Sequence, residues 1–215
     1  MTKVRERIGA LINRWMLHQD IGPLTRGYRE RKIYGDWLRN GRPIPPPHIV
    51  KQIAVKEYAE RFGLRIFVET GTLYGDMLSA IENFFDEIYS IELGQELFER
   101  ARRRFARKGH IAILQGDSAD VLPALLARIK RPCLFWLDGH WSAGITARGT
   151  KNTPIREELC HILQHSVRGH VILIDDARCF TGLDDYPTLE QLREKMTLGG
   201  LYEAFEVRDD IIRIH

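Results

Sequence analysis

From Leu64 onward, the chain alternates between short apolar runs and longer segments in which apolar residues recur about every three to four positions. The first pattern is typical of buried strands, and the second is typical of helices that pack on one face. Because short strands separated by helices pair in parallel with right-handed crossovers, the pattern predicts an α/β fold. The predicted strands cover residues 65–69, 87–92, 111–115, 133–138 and 170–175, and the predicted helices cover 76–84, 95–107, 118–130 and 154–166.

The C-terminal end of the chain follows a different pattern. Two strand-like runs, 202–207 and 210–215, are separated by too few residues to hold a helix. They therefore predict an antiparallel hairpin that closes one side of the sheet.

The N-terminal part, residues 1–47, is predicted to be a helical and loop extension that precedes a main domain over 48–215. Apolar residues at helical spacing predict a helix from residue 2 to about 18. This helix would pack on the domain or join two subunits of a homodimer. Residues 20–47 are rich in Gly, Pro and Arg, which predicts a loop or lid. A further helix is predicted over 48–61.

Composition narrows the class of protein. A hydrophobic fraction of 44% in 215 residues is enough to supply the core of one domain. The net charge of +3 is only mildly basic, so no nucleic-acid partner is expected. Three cysteines without metal-ligand spacing predict reduced thiols. Because the chain has no apolar run of membrane-spanning length and no signal-peptide core, we expect a cytoplasmic protein without a membrane span.

The run Glu69-Thr-Gly-Thr-Leu-Tyr-Gly75 lies between the first predicted strand and the following helix. This arrangement presents backbone N–H groups and a helix N-terminus to a cofactor. Gly71 permits a tight turn, Gly75 permits close backbone approach, and Thr72 lies between them as a further candidate contact. A carboxylate at Glu69 would repel a phosphate. It suits a cofactor with positive charge, such as the amino group and sulfonium of S-adenosylmethionine.

Two further acidic residues follow the second and third strands. Glu92 ends the second strand, where a carboxylate can accept hydrogen bonds from ribose hydroxyls. The alternative for Glu92 is a solvated carboxylate at a strand end. Asp117 follows the third strand, and Asp117 or Ser118 can serve as the N-cap of the next helix.

Five parallel units closed by a hairpin resemble the fold of class I S-adenosylmethionine-dependent methyltransferases, and the resemblance covers residues 48–215. It implies a Rossmann-like seven-stranded sheet in the order 3-2-1-4-5-7-6, with strand 7 antiparallel and helices on both faces. It also implies that Asp117 and Ser118 face the adenine of the cofactor, in addition to their possible capping role. Asp138 is a further candidate residue of this pocket; in the alternative to a role in metal binding, it only lines the pocket and contacts the methionine amine.

The resemblance also makes strands four and five neighbours, which places Asp138, Asp175 and Asp176 at one edge of the sheet about 5 Å apart. Three carboxylates this close are electrostatically costly without a cation, and a hard divalent ion such as Mg²⁺ or Ca²⁺ removes the conflict. The pattern resembles metal-dependent O-methyltransferases, including the sugar enzymes of macrolide and aminocoumarin pathways. That resemblance implies that the three acids bind a metal, which in turn activates a substrate hydroxyl.

His140 stands where the sugar enzymes carry the second acid of an Asp-Gly-Asp element. An imidazole suits general-base catalysis, so His140 and Asp138 are the predicted catalytic residues. The run Leu137-Asp-Gly-His-Trp-Ser142 also resembles uncharacterised bacterial methyltransferase-like proteins. In the alternative interpretation, His140 is an ordinary hydrogen-bonding loop residue, Asp175 caps a turn and Asp176 pairs with Arg178.

Two segments near these acids have open roles. The polar loop over 143–153 is a candidate lid over the substrate. Glu157 and Glu158 open the following helix, where they favour its dipole. In the alternative, one of these two acids faces the acid cluster as a further ligand.

The favoured hypothesis is an S-adenosylmethionine-dependent methyltransferase (EC 2.1.1.-) that methylates a hydroxyl of a small molecule or sugar. One alternative is a catalytically inactive cofactor-binding module with a regulatory or scaffold role. The other is an NAD-binding oxidoreductase. The latter expects G-x-G-x-x-G, whereas this loop reads G-x-x-x-G with an acid two residues before the first glycine.

Overall fold

A computed structural model describes residues 24–139, 153–198 and 200–215 of the chain. The predicted helix over residues 2–18, His140 and most of the predicted lid loop lie outside the described residues.

A seven-stranded sheet forms the centre of the molecule, in the order β3-β2-β1-β4-β5-β7-β6. β7 runs antiparallel to both of its neighbours, and the other pairings are parallel. The predicted order, the antiparallel last strand and the C-terminal hairpin are therefore confirmed. The strands are β1 (Ile66–Thr70), β2 (Glu87–Glu92), β3 (Ile111–Gln115), β4 (Leu134–Leu137), β5 (Val171–Ile174), β6 (Phe205–Arg208) and β7 (Ile211–Ile214).

Helices cover both faces of this sheet. They are α1 (Leu24–Arg39), α2 (His48–Phe62), α3 (Asp76–Ile81), α4 (Gln95–Arg104), α5 (Ser118–Leu126), α6 (Ile155–Gln164) and α7 (Leu189–Thr197). A short 3₁₀ helix, Ala177–Cys179, follows β5. The predicted helices between the first five strands are present, and each ends a few residues earlier than its sequence pattern indicates.

The prediction of a loop or lid over residues 20–47 is wrong for most of that segment, because α1 occupies Leu24–Arg39. Glycines and arginines in α1 concealed its periodicity, since they lower the apolar contrast between the faces of a helix. Contacts with α2 stabilise α1, although its own sequence pattern is weakly amphipathic. Trp37 is buried against Ile49 and Val50 of α2, and its indole N–H donates to the backbone oxygen of Pro43 at 2.8 Å.

The sequence pattern also missed α7. Thr188 caps this helix with a complete capping box in which Gln191 reaches back to the Thr188 backbone N–H. A threonine followed three residues later by glutamine is a recognisable start signal for a helix. Leu192 and Met196 then bury the inner face of α7 in the core.

The core consists of two apolar layers, one on each face of the sheet. Alternate residues of β4 contribute to opposite layers, with Phe135 on one side and Trp136 on the other. Residues of α5, α6 and α7 pack on the first side, and residues of α2 and α3 pack on the second. Among the residues that the structure describes, no helix is both long and apolar enough to cross a membrane.

The strand register brings the ends of three central strands level with one another. Thr70 of β1 lies beside Leu137 of β4, and Leu137 lies beside Ile174 of β5. The polar residues that follow these strands therefore meet at the carboxyl edge of the sheet, where open α/β sheets bind their ligands.

Candidate functional site

The loop after β1 turns sharply at Gly71, which has a φ of 85°. The Gly71 N–H donates to the backbone oxygen of Ile91 at 2.9 Å, which holds the loop against β2. A Cβ atom at this position would lie 2.6 Å from the backbone oxygen of Asp138. Both the positive φ and this close approach require glycine, so the loop is built against the end of β4.

Gly75 ends the loop with a φ of 72°. A Cβ atom here would lie 2.6 Å from the ring of Phe105, the residue that follows α4. The structure thus gives a packing reason for Gly75, and its predicted approach to a cofactor stays a prediction. Arg104 braces the same turn from α4 by donating to the Tyr74 backbone oxygen and to Asp76.

Glu69 lies near the carboxyl end of the central strand β1, with only 2% of its surface exposed. Its carboxylate accepts a hydrogen bond of 2.6 Å from the hydroxyl of Ser90 on β2. The Ser90 oxygen is itself 2.6 Å from the hydroxyl of Thr72, which donates to it because the single Ser90 proton is already used. Glu69, Ser90 and Thr72 thus form a buried chain of hydrogen bonds below the loop.

Burial raises the pKa of Glu69 to about 8, and the nearby acids Asp138 and Glu92 act in the same direction, whereas the hydrogen bond from Ser90 lowers it. This carboxyl group is therefore largely protonated at neutral pH unless a cation lies beside it. Glu69 therefore carries its predicted negative charge only when a positive group compensates for its burial. Its contact with a cofactor stays a prediction.

Glu92 is buried at the end of β2 and binds two backbone N–H groups of the surrounding loops. One carboxylate oxygen accepts from the Leu73 N–H at 2.8 Å, and the other accepts from the Gly94 N–H at 2.8 Å. The alternative of a solvated carboxylate at a strand end is therefore wrong. These contacts fix Glu92 beside the loop, and its bond to ribose stays a prediction.

Asp117 is the N-cap of α5, and its side chain accepts from the Ala119 N–H at 3.0 Å. The capping interpretation is confirmed, and the contact of Asp117 with adenine stays a prediction. The neighbouring Ser118 hydroxyl donates to Glu158 at 2.6 Å and so is already engaged within the protein.

Glu158, one of two acids predicted either to favour the helix dipole or to face the other acids, is buried at this site. It projects from the first turn of α6 and binds the hydroxyl groups of Ser118 and Thr70. Burial raises the pKa of Glu158 to about 7, although both hydroxyls lower it. A Cβ atom at Gly139 would lie 3.2 Å from Glu158, so this acid supports the chain directly after Asp138.

The three predicted metal ligands come together at the ends of β4 and β5. Asp138, Asp175 and Asp176 each offer a carboxylate oxygen, and these oxygens lie within 4.8 Å of one another. We call these three residues the acid cluster. Asp175 and Asp176 are buried, and Asp176 has a left-handed backbone with a φ of 55°.

Lys51 of α2 reaches into the acid cluster. Its ammonium group forms an ion pair with Asp175 and lies 3.9 Å from Asp176. Burial opposes the charged form of Lys51, but the carboxylates of Asp175 and Asp138 outweigh it and raise the pKa of this lysine. Lys51 could not be recognised as a site residue from the sequence, because it lies 124 positions from Asp175 on a helix that precedes the sheet.

Arg178 supplies positive charge on the other side of the acid cluster. It pairs with Asp176 at 2.7 Å and also binds Asp210, which precedes β7. The Asp175 carboxylate accepts from the Asp176 N–H at 2.8 Å. The alternative role of Asp176, pairing with Arg178, is therefore present in the structure. The 3₁₀ helix that follows has no side-chain hydrogen bond at its N-cap, Asp176, so the capping role of Asp175 stays a prediction.

No protein-family model matches this sequence, and no curated protein matches it. Several solved structures share the fold over most of this chain, although their sequence identity to it is low. The O-methyltransferase TomG from Streptomyces achromogenes, in complex with S-adenosylmethionine, has a TM-score of 0.58 at 17% identity over 86% of this chain and 87% of its own.

An O-methyltransferase from Bacillus cereus in complex with S-adenosylhomocysteine has a TM-score of 0.58 at 14% identity over 96% and 99% of the two chains. The methyltransferase PaMTH1 from Podospora anserina, also bound to S-adenosylhomocysteine, has a TM-score of 0.58 at 14% identity over 99% and 95%. The chain thus has the class I S-adenosylmethionine-dependent methyltransferase fold.

Proposed function

We propose that this protein is an S-adenosylmethionine-dependent methyltransferase that transfers a methyl group to a hydroxyl of a small molecule or sugar. The observation that carries this proposal is the position of the β1 loop, which lies against the end of β4 directly beside Asp138. A cofactor bound on the loop would present its reactive group to the acid cluster. The structural neighbours described as O-methyltransferases bound to S-adenosylmethionine or S-adenosylhomocysteine support the same function.

In the proposed complex, the backbone from Gly71 to Gly75 and the side chain of Thr72 contact the cofactor. Glu92 accepts hydrogen bonds from the ribose hydroxyls. Glu69 compensates the positive charge of the cofactor amino group through its ionised form. Asp117 and Ser118 lie along the adenine, and Asp138 contacts the methionine amine.

The proposed reaction is a direct displacement at the methyl carbon. The acceptor oxygen forms a bond to that carbon while the carbon–sulfur bond breaks, and the bonding pair stays on sulfur to give neutral S-adenosylhomocysteine. The proton of the hydroxyl passes to His140, which lies outside the described residues. The protein supplies alignment of oxygen, carbon and sulfur, with Asp138 orienting the acceptor beside the cofactor.

The acid cluster has the oxygen chemistry that Mg²⁺ or Ca²⁺ prefers. In the structure, however, the ammonium group of Lys51 already contacts one of its carboxylates and lies close to a second. The residues present therefore fit an ion pair better than a metal site, and the proposed mechanism has no step that requires a metal.

Isothermal titration with S-adenosylhomocysteine and, separately, with NADH tests the cofactor assignment. We expect one equivalent of S-adenosylhomocysteine to bind and NADH to give no heat of binding. The variant Glu92→Ala should weaken the binding of S-adenosylhomocysteine, because the ribose loses its acceptor and the β1 loop loses the bond to Leu73. Binding of NADH alone would overturn the proposal in favour of an oxidoreductase.

A further inference from the structure

A lysine side chain from outside the sheet lies among the three acids that follow β4 and β5. Lys51 Nζ contacts Asp175 and is 3.9 Å from Asp176, and one oxygen of each acid lies within 4.8 Å of the others. A divalent ion bound to all three acids would lie about 2.0 to 2.6 Å from each oxygen. An ion and an ammonium group in so small a space would repel each other strongly.

The backbone that carries Lys51 is fixed by packing on both sides of it. Ile49 and Val50 are buried against Trp37 of α1, while Ala54 and Val55 are buried in the core layer under the sheet. The Lys51 side chain itself is only 17% exposed. A metal could therefore enter the acid cluster only if the lysine side chain swung out while its helix stayed in place.

Two of the three carboxylates in the acid cluster also have cationic partners within the chain. Asp175 pairs with Lys51, and Asp176 pairs with Arg178 at 2.7 Å while lying near Lys51. Buried carboxylates are tolerated when they are paired and hydrogen-bonded, so residues of the chain itself supply a cation to Asp175 and to Asp176.

We propose that the ammonium group of Lys51 is the cation of the acid cluster and that it excludes a divalent ion from this position. The inference concerns the charge partner of Asp138, Asp175 and Asp176 and does not depend on the proposed methyl transfer. The three acids, which resemble a metal site, then form an ion-pair network around Lys51. Replacement of Lys51 by a neutral residue should then uncover a metal site.

Titration of the full chain with Mn²⁺, followed by the electron paramagnetic resonance signal of the unbound ion, tests this proposal. Wild type should bind no Mn²⁺ at the cluster at concentrations up to about 1 mM. Lys51→Met should bind one equivalent at least about tenfold more tightly than wild type, because the carboxylates lose their internal cation. Lys51→Arg should behave like wild type, since it keeps the positive charge.

Two further variants assign the binding. Lys51→Met combined with Asp138→Asn should lose the gained Mn²⁺ site. Lys108→Met is the matched control, because it removes one lysine from a surface ion pair with Glu82 and should leave Mn²⁺ binding unchanged. If Lys51→Met does not fold, as judged by circular dichroism, the comparison of wild type with the single variant Asp138→Asn decides the question. One tight Mn²⁺ equivalent in wild type that Asp138→Asn removes would overturn the proposal, and its absence would support it.

The outcome is separable from that of the proposed function. If wild type does not bind S-adenosylhomocysteine, the methyltransferase proposal is wrong, and Mn²⁺ binding still tests the role of Lys51. A wild-type Mn²⁺ site would remove the lysine proposal while leaving cofactor binding untouched.

Discussion

The hydroxyl of Ser90 donates a 2.6 Å hydrogen bond to the buried carboxylate of Glu69. This bond joins the end of β1 to the middle of β2, directly under the loop that is proposed to hold the cofactor. A single hydrogen bond offsets only part of the desolvation of a buried carboxylate, which is why the pKa of Glu69 stays raised.

Glu69→Gln should make the protein more stable at alkaline pH. The pKa of Glu69 rises from 4.5 to about 8 on folding, so the folded state holds a proton that the unfolded state has released. Stability therefore falls by about 4 kcal/mol as the pH rises from 4.5 to about 8, because each pKa unit is worth about 1.4 kcal/mol. Between pH 5 and pH 8.5, the melting temperature of the variant relative to that of wild type should therefore rise by roughly 8 to 16 °C.

Thermal unfolding followed by circular dichroism at both pH values measures this effect. Glu203→Gln, a change at an exposed acid, is the control and should show the pH dependence of wild type. Parallel pH dependence in Glu69→Gln and wild type would show that Glu69 is not protonated in the folded state.

Binding of S-adenosylhomocysteine at pH 7 should release about one proton from the protein, because the cofactor ammonium lowers the pKa of Glu69 toward its ordinary value. Isothermal titration in phosphate and in Tris, which differ in ionisation enthalpy, measures the released proton. Glu69→Gln should abolish the buffer dependence and weaken binding by about tenfold. The same buffer dependence in both proteins would place the proton on another group.

Gly71→Ala should destabilise the fold strongly and disrupt the β1 loop. Its Cβ atom would lie 2.6 Å from the Asp138 backbone oxygen, and its φ of 85° is unfavourable for any residue with a side chain. We expect a loss on the order of 3 kcal/mol, or roughly 6 to 12 °C in the melting temperature. Gly109→Ala is the matched control, because a Cβ atom there meets nothing within 4 Å. Equal melting temperatures for the two variants would contradict the close approach of the loop to β4.

His140→Ala should lower kcat by about 10²- to 10⁴-fold in a methyl-transfer assay once an acceptor is known. The affinity for S-adenosylhomocysteine should stay unchanged, because the imidazole is proposed to take the acceptor proton and not to bind the cofactor. His161→Ala, a histidine on α6, serves as the control variant. If kcat is unchanged and the affinity for S-adenosylhomocysteine falls, His140 has a role in cofactor binding and not in catalysis.

The sheet could be predicted from the sequence because its strands are short apolar runs with a regular spacing, and the buried positions of β4 and β5 match that pattern. The acidic residues at the ends of the strands could be predicted for the same reason. Asp138 and Asp175 each lie at the first polar position after an apolar run, which is where the strands of a parallel sheet end.

Contacts between distant segments could not be predicted. Lys51 joins the acid cluster only because α2 packs across the sheet, and its own neighbours in sequence give no sign of this. The protonation of Glu69 depends likewise on how completely the fold covers it. Trp37 shows the same limit for secondary structure, since α1 is stabilised by its contact with α2 more than by its own periodicity.

Trp37 also has a consequence for how this chain can be shortened. It covers Ile49 and Val50 immediately beside Lys51, so a version that begins at residue 48 would leave two apolar side chains open to water next to the ion-pair network. Trimming at that point would loosen the first turns of α2 and invite self-association through the uncovered patch. A shortened version of this chain should therefore retain the segment from Leu24 onward.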